Sequence, residues 1–235
     1  TVVAFSGGTD SGMVLWAVGR YGRDVRAYYV HTVFQPAFEL ADAKRLAEEL
    51  DVPLTVVEAD VLAVPEAAAN GPRRCYYCKK ALFTTLWQRA REDGYTVLLD
   101  GTNASDDAGD RPGMQALREL EVRSPLRECG ITKAEVRRMS KEAGLFTWDK
   151  PAYACLATRV PTGTAITRKA LEKVERGENA LFRLGFSDFR VRLLGDAARI
   201  QVPADQMERA LALRGEINQA LEADFSAVLL DLAGR

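Results

Sequence analysis

The sequence predicts an α/β protein in which a doubly wound parallel sheet is followed by a small C-terminal α+β domain. Three observations support this fold class. Short apolar strands alternate with amphipathic helices in the first half, the first strand runs into a glycine-rich loop, and the order of elements changes after residue 166. Alternating strands and helices are typical of a parallel sheet with helices on both faces. We therefore predict a first domain over residues 1–147, a connecting loop over 148–166 and the small domain over 167–235.

The elements of the first half follow from apolar patterning. Strands are predicted at residues 2–5, 26–32, 54–60 and 95–103, and helices after the first loop and at 39–50, 79–91 and 132–143. In the helix over 39–50, leucine and alanine recur every three or four residues, which forms a stripe that would face a sheet. Thr132 and Glu135 have the spacing of a capping box and mark the start of the last of these helices.

The second half of the chain has a different order of predicted helices and strands. A helix from residue 167 is followed by two strands at 189–195 and 198–202, then by a helix and a final strand at 225–232. This order predicts an α+β arrangement. On the first of these strands Arg190 and Arg192 alternate, so their side chains should point to the same face. Two guanidinium groups side by side suit a phosphate, although a solvated edge strand would show the same pattern.

The segment Thr1–Gly12, TVVAFSGGTDSG, joins a buried strand to an apolar helix through paired glycines. Glycine lets the backbone turn tightly and approach a ligand, and a helix start offers unpaired N–H groups to an anion. No lysine follows the glycines as in a Walker loop, and the glycine spacing is wrong for a dinucleotide fingerprint. The alternative is a glycine-rich turn before an ordinary helix cap. A loop of the form SGGxDS favours phosphate binding, with Ser6, Ser11 and backbone amides as donors and Asp10 as a ligand for Mg²⁺ or water.

A second polar loop, Asp100-Gly101-Thr102-Asn103, follows the fourth predicted strand. Ligands of doubly wound sheets bind beyond the carboxyl ends of the strands. Both loops lie at such ends, so we expect them to meet at one site.

The chain contains four cysteines, of which Cys75 and Cys78 form a Cys-x-x-Cys pair flanked by two arginines and two lysines. Two cysteines at this spacing can share a metal or form a redox pair, and neighbouring cations favour the thiolate. A four-cysteine zinc site would need a second pair, whereas Cys129 and Cys155 each stand alone. Three cysteines are found at iron–sulfur clusters that keep one open position, while a structural zinc or a redox-inert turn stays open as an alternative. We expect Cys129 to be a buried small residue.

Five motifs in a fixed order make the chain recognisable. They are SGGTDS, RCYYCKKALF, DGTNASDDAGDRPG, RSPL before GITKAEVRRMSKEAGL, and WDKPAYACLATRVPTG. Together they resemble the LarE family, and the similarity covers nearly the whole chain. The resemblance implies a PP-loop ATPase fold of the adenine nucleotide alpha hydrolase type. It also implies an activity, in which a carboxylate of pyridinium-3,5-biscarboxylic acid mononucleotide is adenylylated with release of pyrophosphate and sulfur then replaces AMP. The product would be a thiocarboxylate in the biosynthesis of the nickel-pincer nucleotide cofactor.

The resemblance also implies roles for single residues. The ATP phosphates and Mg²⁺ would be bound by Ser6, Gly7, Gly8, Asp10 and Ser11, and AMP would lie near Gly101, Thr102, Asn103 and Arg111. Arg190 and Arg192 would bind the substrate phosphate, and Glu178 would be an active-site acid.

Two routes for sulfur follow from the resemblance. Family members with a single cysteine sacrifice the residue at the position of Cys155, which leaves dehydroalanine. This chain also has Cys75 and Cys78, as in members that resemble cluster-binding enzymes. We therefore favour a [4Fe–4S] cluster held by Cys75, Cys78 and Cys155, which would deliver an added sulfide and spare the protein.

Composition limits the alternatives. The 235 residues include 47% hydrophobic and 28% charged residues, and the formal net charge is −1, which does not indicate a nucleic-acid binder. A tRNA thiolase of the same superfamily, an amide-forming synthetase that uses ammonia, and a nucleotide sensor with redox-active cysteines remain as rival hypotheses. No apolar run approaches the ~20 residues that span a bilayer, and no signal-peptide pattern is visible. We expect a cytoplasmic homo-oligomer whose cysteines are kept reduced, with a short segment preceding the first strand.

Overall fold

The computed structural model describes residues 1–106 and 111–235, except for the side chain of Arg111. Within these residues the chain forms two compact units. Unit 1 comprises Thr1–Ala67 and Arg73–Lys150, and unit 2 comprises Ala68–Pro72 and Pro151–Arg235.

The elements are numbered in chain order. The described strands are β1 (Val2–Ala4), β2 (Arg26–His31), β3 (Leu54–Glu58), β4 (Leu98–Leu99), β5 (Arg190–Leu194), β6 (Ala197–Gln201) and β7 (Val228–Leu230). The described α-helices are α1 (Thr9–Tyr21), α2 (Ala37–Glu49), α3 (Pro65–Ala68), α4 (Arg74–Glu92), α5 (Arg111–Glu119), α6 (Pro125–Glu128), α7 (Lys133–Glu142), α8 (Arg168–Arg183), α9 (Met207–Ala212) and α10 (Arg214–Leu221).

The sheet of unit 1 is parallel throughout and has the strand order β3-β2-β1-β4. Because side chains alternate along a strand, each strand supplies both faces of this sheet. One face packs Val3 and Tyr29 against helices α1, α2 and α7. The other packs Val2 and Tyr28 against α4. Helices on both faces of a parallel sheet confirm the doubly wound α/β fold.

Unit 2 has a three-stranded sheet in the order β5-β6-β7, in which β6 is antiparallel to β5 and parallel to β7. Its core joins α8, α10 and the sheet through buried side chains that include Leu181, Val191, Ile200 and Leu221. The predicted small α+β fold at the C-terminus is therefore confirmed.

Two elements differ from the prediction in ways that matter for function. Helix α4 begins at Arg74 and not at residue 79, so the Cys-x-x-Cys pair lies inside the helix. Its first turns are anchored by Tyr76, which is 8% exposed and accepts a hydrogen bond from Lys80 one turn later. Strand β4 is only two residues long, because beyond Leu99 the chain turns into the loop that begins at Asp100.

The helix predicted over 132–143 is present as α7, and both hydrogen bonds of its capping box are formed. Among the described helices, none has the length and apolar composition needed to cross a membrane.

Candidate functional site

The glycine-rich loop lies between β1 and α1, where the chain leaves the sheet. Gly7 has a φ of +73°, which L side chains rarely adopt. A Cβ on Gly7 would lie 2.9 Å from the backbone nitrogen of Ala43 and 2.9 Å from the backbone oxygen of Glu39. The loop therefore packs backbone to backbone against α2, and only glycine fits.

The start of α1 is open to an anion. Its N-cap residue is Gly8, and no side chain of the described residues caps it, so the ordinary cap considered above is absent. The Ser6 and Ser11 hydroxyl oxygens lie 3.0 Å apart beside this helix start, and the Ser6 amide donates to Ser11 Oγ at 3.2 Å. Uncapped N–H groups, two hydroxyls and the positive end of the helix dipole form a site that suits phosphate.

The loop after β4 contacts the same region. A Cβ on Gly101 would lie 2.6 Å from the backbone nitrogen of Ser11, so the two backbones touch there. Asn103 Nδ2 donates to Asp10 Oδ1 at 3.2 Å. The two loops that were expected to meet at the carboxyl ends of the strands therefore lie together.

Asp100, which is buried, holds the second loop in shape. Its carboxylate accepts hydrogen bonds from the Thr102 amide at 3.2 Å, from Thr102 Oγ1 at 2.5 Å and from Ser124 Oγ at 2.6 Å. Ser124 belongs to the RSPL motif, which explains why this short motif accompanies the loop. Arg111, which was predicted to lie near AMP, has a side chain outside the described residues.

Lys133 was not singled out from the sequence, yet it reaches this site. Its Nζ donates to Asp10 Oδ2 at 2.5 Å, and the two side chains are 33% and 26% exposed. Its backbone nitrogen donates to Ser105 Oγ, which links α7 to the second loop. Lys133 is the first residue of α7, where a cation opposes the helix dipole. A lysine directly after a capping threonine was therefore the signal that could have identified it.

The Cys-x-x-Cys pair occupies the first turns of α4. Cys75 and Cys78 are three residues apart on a helix, a spacing that brings Cβ atoms to about 5–6 Å on one face. Both are half-buried, and the Arg74 guanidinium lies 3.7 Å from Cys75 Sγ. The pair can therefore bind one group together, near the positive end of a 19-residue helix.

All four cysteines are described, and none forms a disulfide. The expectation that Cys129 is buried is wrong, because Cys129 is exposed. It is the C-cap residue that follows the four-residue helix α6, which buries Leu126, and it lies at the surface.

Cys155 lies in unit 2, directly before a 3-10 helix over Leu156–Arg159. Both arginines of β5 donate to this segment, Arg190 to the carbonyl of Ala152 at 2.7 Å and Arg192 to the carbonyl of Thr158 at 2.6 Å. The structure therefore confirms that the two side chains share a face, and that face is turned towards the segment that carries Cys155.

Arg190 is 5% exposed, so the solvated-edge interpretation is wrong for this residue. Burial, with repulsion from Arg159 and Arg235, lowers the pKa of Arg190 to about 10. Burial and repulsion from Arg159 also lower the pKa of Arg192. Both guanidiniums stay charged at neutral pH, and a dense cluster of positive charge favours the binding of an anion.

Glu178 is 1% exposed and is surrounded by donors. It forms a two-pronged ion pair with Arg159, from Nε to Oε1 at 2.8 Å and from Nη2 to Oε2 at 3.1 Å. The amide of Val191 donates to Oε1 at 3.0 Å, and the Tyr153 hydroxyl donates to Oε2. Burial, followed by the charge of Glu178, raises the pKa of Tyr153, so its hydroxyl keeps the proton that it donates.

No group of three or more His, Cys, Asp or Glu side chains able to hold a metal ion occurs in the described part of the chain. The described residues predicted to bind the ATP phosphates lie together within unit 1. The residues around Cys155, including the two arginines predicted to bind the substrate phosphate, lie together within unit 2.

The sheet order, the SGGxDS loop and the open helix start define the class to which the protein belongs, the PP-loop ATP pyrophosphatases. Distant similarity supports this class, since a tRNA-specific 2-thiouridylase MnmA of Clostridium botulinum is 23% identical over 209 residues, covering 74% of this chain and 59% of that protein. No family model matches the chain.

Two more similar relatives define the family. An uncharacterized protein of Synechocystis sp. is 39% identical over 99% of this chain and 88% of its own length. The pyridinium-3,5-bisthiocarboxylic acid mononucleotide synthase of Lactiplantibacillus plantarum is 36% identical over 99% of this chain and 85% of its own length. The chain therefore belongs to the LarE family and is an ATP-dependent sulfur-inserting enzyme.

Proposed function

We propose that this enzyme converts a carboxylate of pyridinium-3,5-biscarboxylic acid mononucleotide into a thiocarboxylate, in biosynthesis of the nickel-pincer nucleotide cofactor. The observation that carries the proposal is the relative of Lactiplantibacillus plantarum, whose name states the thiocarboxylate product and which aligns with 99% of this chain. The contacts of the described residues support separate roles for the glycine-rich loop, for the two arginines of β5 and for the cysteines.

The first step forms the acyl adenylate. The Ser6 and Ser11 hydroxyls and the amides at the start of α1 hold the β- and γ-phosphates, with Gly7 and Gly8 allowing their close approach. The substrate carboxylate oxygen attacks the α-phosphorus, the bond to the β-phosphate breaks, and pyrophosphate leaves. AMP lies against the loop of Gly101, Thr102 and Asn103, with Arg111 nearby.

Asp10, through Mg²⁺, and Lys133 would stabilise the negative charge that develops on the pyrophosphate in this step. Asp10 fits Mg²⁺ because carboxylate oxygens are preferred ligands, and each oxygen keeps a second lone pair beside its bond to Asn103 or Lys133. Mg²⁺ would neutralise charge on the departing pyrophosphate. The Lys133 ammonium, which Asp10 holds at the helix start, donates to a phosphate oxygen as negative charge develops.

The second step replaces AMP by sulfur. Arg190 and Arg192 bind the substrate phosphate on the face that also carries the Cys155 segment. A sulfur nucleophile attacks the acyl carbon and the bond from that carbon to the AMP oxygen breaks. Esterification by AMP turns a poor leaving group into a good one, and sulfur attacks well at neutral pH.

We propose that sulfur is held by a [4Fe–4S] cluster with Cys75, Cys78 and Cys155 as ligands. The spacing of Cys75 and Cys78 on one helix face fits two ligands of one group, and a third cysteine leaves the fourth position open. When bound, the cluster would supply a sulfide as the nucleophile. The competing route sacrifices Cys155, whose Cβ–Sγ bond breaks with loss of the α-proton to leave dehydroalanine.

The first experiment is anaerobic reconstitution with iron and sulfide, followed by a visible spectrum and an iron count, on the wild type and on Cys75→Ala. Cys129→Ala is the matched control, because Cys129 is exposed and is not among the proposed ligands. About four irons per chain, lost in Cys75→Ala and kept in Cys129→Ala, support the cluster. No iron on the wild type contradicts it, and mass spectrometry after turnover then tests Cys155 for the loss of hydrogen sulfide.

The rival tRNA thiolase is separated by its substrate. Pyrophosphate release that depends on the pyridinium dicarboxylate mononucleotide supports the proposal, and release that depends on tRNA contradicts it. We also propose that the enzyme is a homo-oligomer, which multi-angle light scattering tests directly, and that free sulfide or a separate donor reloads the sulfur site.

A further inference from the structure

We infer that Glu178 and Arg159 form a buried positioning pair that fixes the segment carrying Cys155, and that Glu178 does not act as a general acid or base. The inference rests on the proposed role of Cys155 in sulfur transfer. It replaces the catalytic role that the resemblance implied for Glu178.

The first argument is the number of hydrogen bonds at the Glu178 carboxylate. A carboxylate has two oxygens and about four lone-pair positions. Oε1 accepts from Arg159 Nε and the Val191 amide, and Oε2 accepts from Arg159 Nη2 and the Tyr153 hydroxyl. All four positions are occupied inside unit 2, so no lone pair remains with which to take a proton from a substrate.

The second argument is the direction of the Arg159 guanidinium. While Nε and Nη2 bind Glu178, Nη1 donates to the carbonyl oxygens of Ala154 at 2.6 Å and Cys155 at 3.3 Å, and to Thr158 Oγ1 at 2.8 Å. Because a guanidinium is planar and rigid, the position of Glu178 on α8 is transmitted to the peptide of Cys155. A lysine at this position would keep a charge beside Glu178 but could not form both sets of bonds.

The third argument is that the pair also fixes the proposed phosphate site. The Val191 amide, bound by Glu178, lies between Arg190 and Arg192 on β5. The Tyr153 ring lies 4.5 Å from the Arg159 guanidinium and 5.1 Å from that of Arg190. Glu178 therefore holds α8, β5 and the Cys155 segment in one arrangement, as expected for a group that positions other groups.

The test compares Arg159→Lys with Arg176→Lys in the full-length enzyme. Arg176 pairs with Asp224 on the exposed side of α8, so it is a matched control for the same substitution. Three rates are measured: pyrophosphate release, thiocarboxylate formation, and alkylation of Cys155 by iodoacetamide followed by peptide mass mapping. Alkylation of the exposed Cys129 serves as the internal reference.

In Arg159→Lys we expect kcat for thiocarboxylate formation to fall by about 10- to 100-fold, because a shift near 1 Å has effects of this size. With saturating substrate, kcat for pyrophosphate release should stay within about twofold of the wild type, because the hydrogen-bond partners of the pair given above belong to unit 2 and the ATP loop belongs to unit 1. The KM for the pyridinium substrate should rise, since the pair also orders the strand that carries Arg190 and Arg192. The alkylation rate of Cys155 should change while that of Cys129 does not. Arg176→Lys should match the wild type in all three.

Two results overturn the inference. One is an Arg159→Lys enzyme with unchanged thiocarboxylate formation and unchanged Cys155 alkylation. The other is a parallel loss of both reaction steps with a lower melting temperature, which indicates a purely structural pair. If Arg159→Lys does not fold, Tyr153→Phe is the second variant, because it removes only the hydroxyl that donates to Glu178. It must slow thiocarboxylate formation while leaving kcat for pyrophosphate release unchanged. Failure of the proposed function is distinguishable, because the wild type would then release no pyrophosphate with the substrate, whereas the alkylation comparison needs no turnover.

Discussion

Gly101→Ala is expected to damage ATP use through the shape of the backbone alone. The added Cβ would lie 2.6 Å from the Ser11 nitrogen and 2.9 Å from the Ser11 Cα. Ordinary contacts of a Cβ begin at 3.4 Å, so the two segments must separate by about 0.8 Å, the difference between 3.4 and 2.6. The atoms that must move belong to the backbone at the start of α1, and no flexible side chain can absorb the change.

The size of the effect follows from this displacement. Overpacking of a tight contact costs about 1–3 kcal/mol of folding free energy. A shift near 1 Å in a reacting group costs up to about 100-fold in rate, so we expect kcat/KM for pyrophosphate release to fall by about 10- to 100-fold. The assay follows pyrophosphate with saturating pyridinium substrate and varied ATP, beside urea unfolding of both proteins.

Gly215→Ala is the control, because Gly215 lies in α10 and a Cβ there would meet nothing within 4 Å. Its unfolding free energy should rise by about 0.5–1 kcal/mol, since alanine is better than glycine inside a helix, and its kinetics should equal those of the wild type. Wild-type kinetics in Gly101→Ala would refute the reasoning, because the loop after β4 would then not support the ATP loop. A loss of stability with intact kinetics would refute it in the same way.

Three further predictions concern charged groups. Lys133→Met removes the ammonium that Asp10 holds, and kcat for pyrophosphate release should fall by about 100- to 1,000-fold, with partial recovery in Lys133→Arg; an unchanged kcat would exclude a role in the chemistry. Glu178→Gln leaves the Arg159 guanidinium buried without a counter-charge, so urea unfolding should show a loss of about 3–5 kcal/mol, and a loss below about 1 kcal/mol would contradict a buried pair. Hydrogen bonds from a buried tyrosine hydroxyl and an arginine lower the pKa of Asp93 below 3.8. Its contribution to stability is therefore fully present above the unfolded-state value and is lost as the pH falls through the folded-state value. The advantage of the wild type over Asp93→Asn should be largest at pH 6 and should shrink steadily as the pH is lowered below 3.8, and a difference independent of pH would contradict this.

The fold was predictable from local patterns, and the start of α4 was misplaced because contacts of the folded chain determine it. The stripe on α2 was correct because Ala43, Leu46 and Ala47 are buried against the sheet. The start of α4 was placed too late because its first turns have no apolar stripe. They are held by Tyr76, through contacts with Lys80 and Glu119 that only the folded chain provides.

The candidate site was predictable where the signal is local, as in the glycine-rich loop and in the alternation of Arg190 and Arg192 on β5. Glycines and hydroxyl residues between a strand and a helix reveal a phosphate loop, because the backbone conformation itself requires them. Lys133 reaches Asp10 across 123 residues of sequence, and no periodicity predicts that pairing; the sequence marks only the unusual place of a lysine directly after the capping Thr132.

The burial of Arg159 could not be predicted from the sequence either. An arginine between small and apolar residues suggests a surface position, yet the side chain of Arg159 is fully buried. It is stable there because every guanidinium nitrogen has a partner, either Glu178 on α8 or the chain segment directly before Arg159. A residue whose burial depends on so many acceptors tolerates few replacements. The same dependence makes it suited to fix the peptide of Cys155, since any movement of that segment would leave a buried charge with an unsatisfied donor.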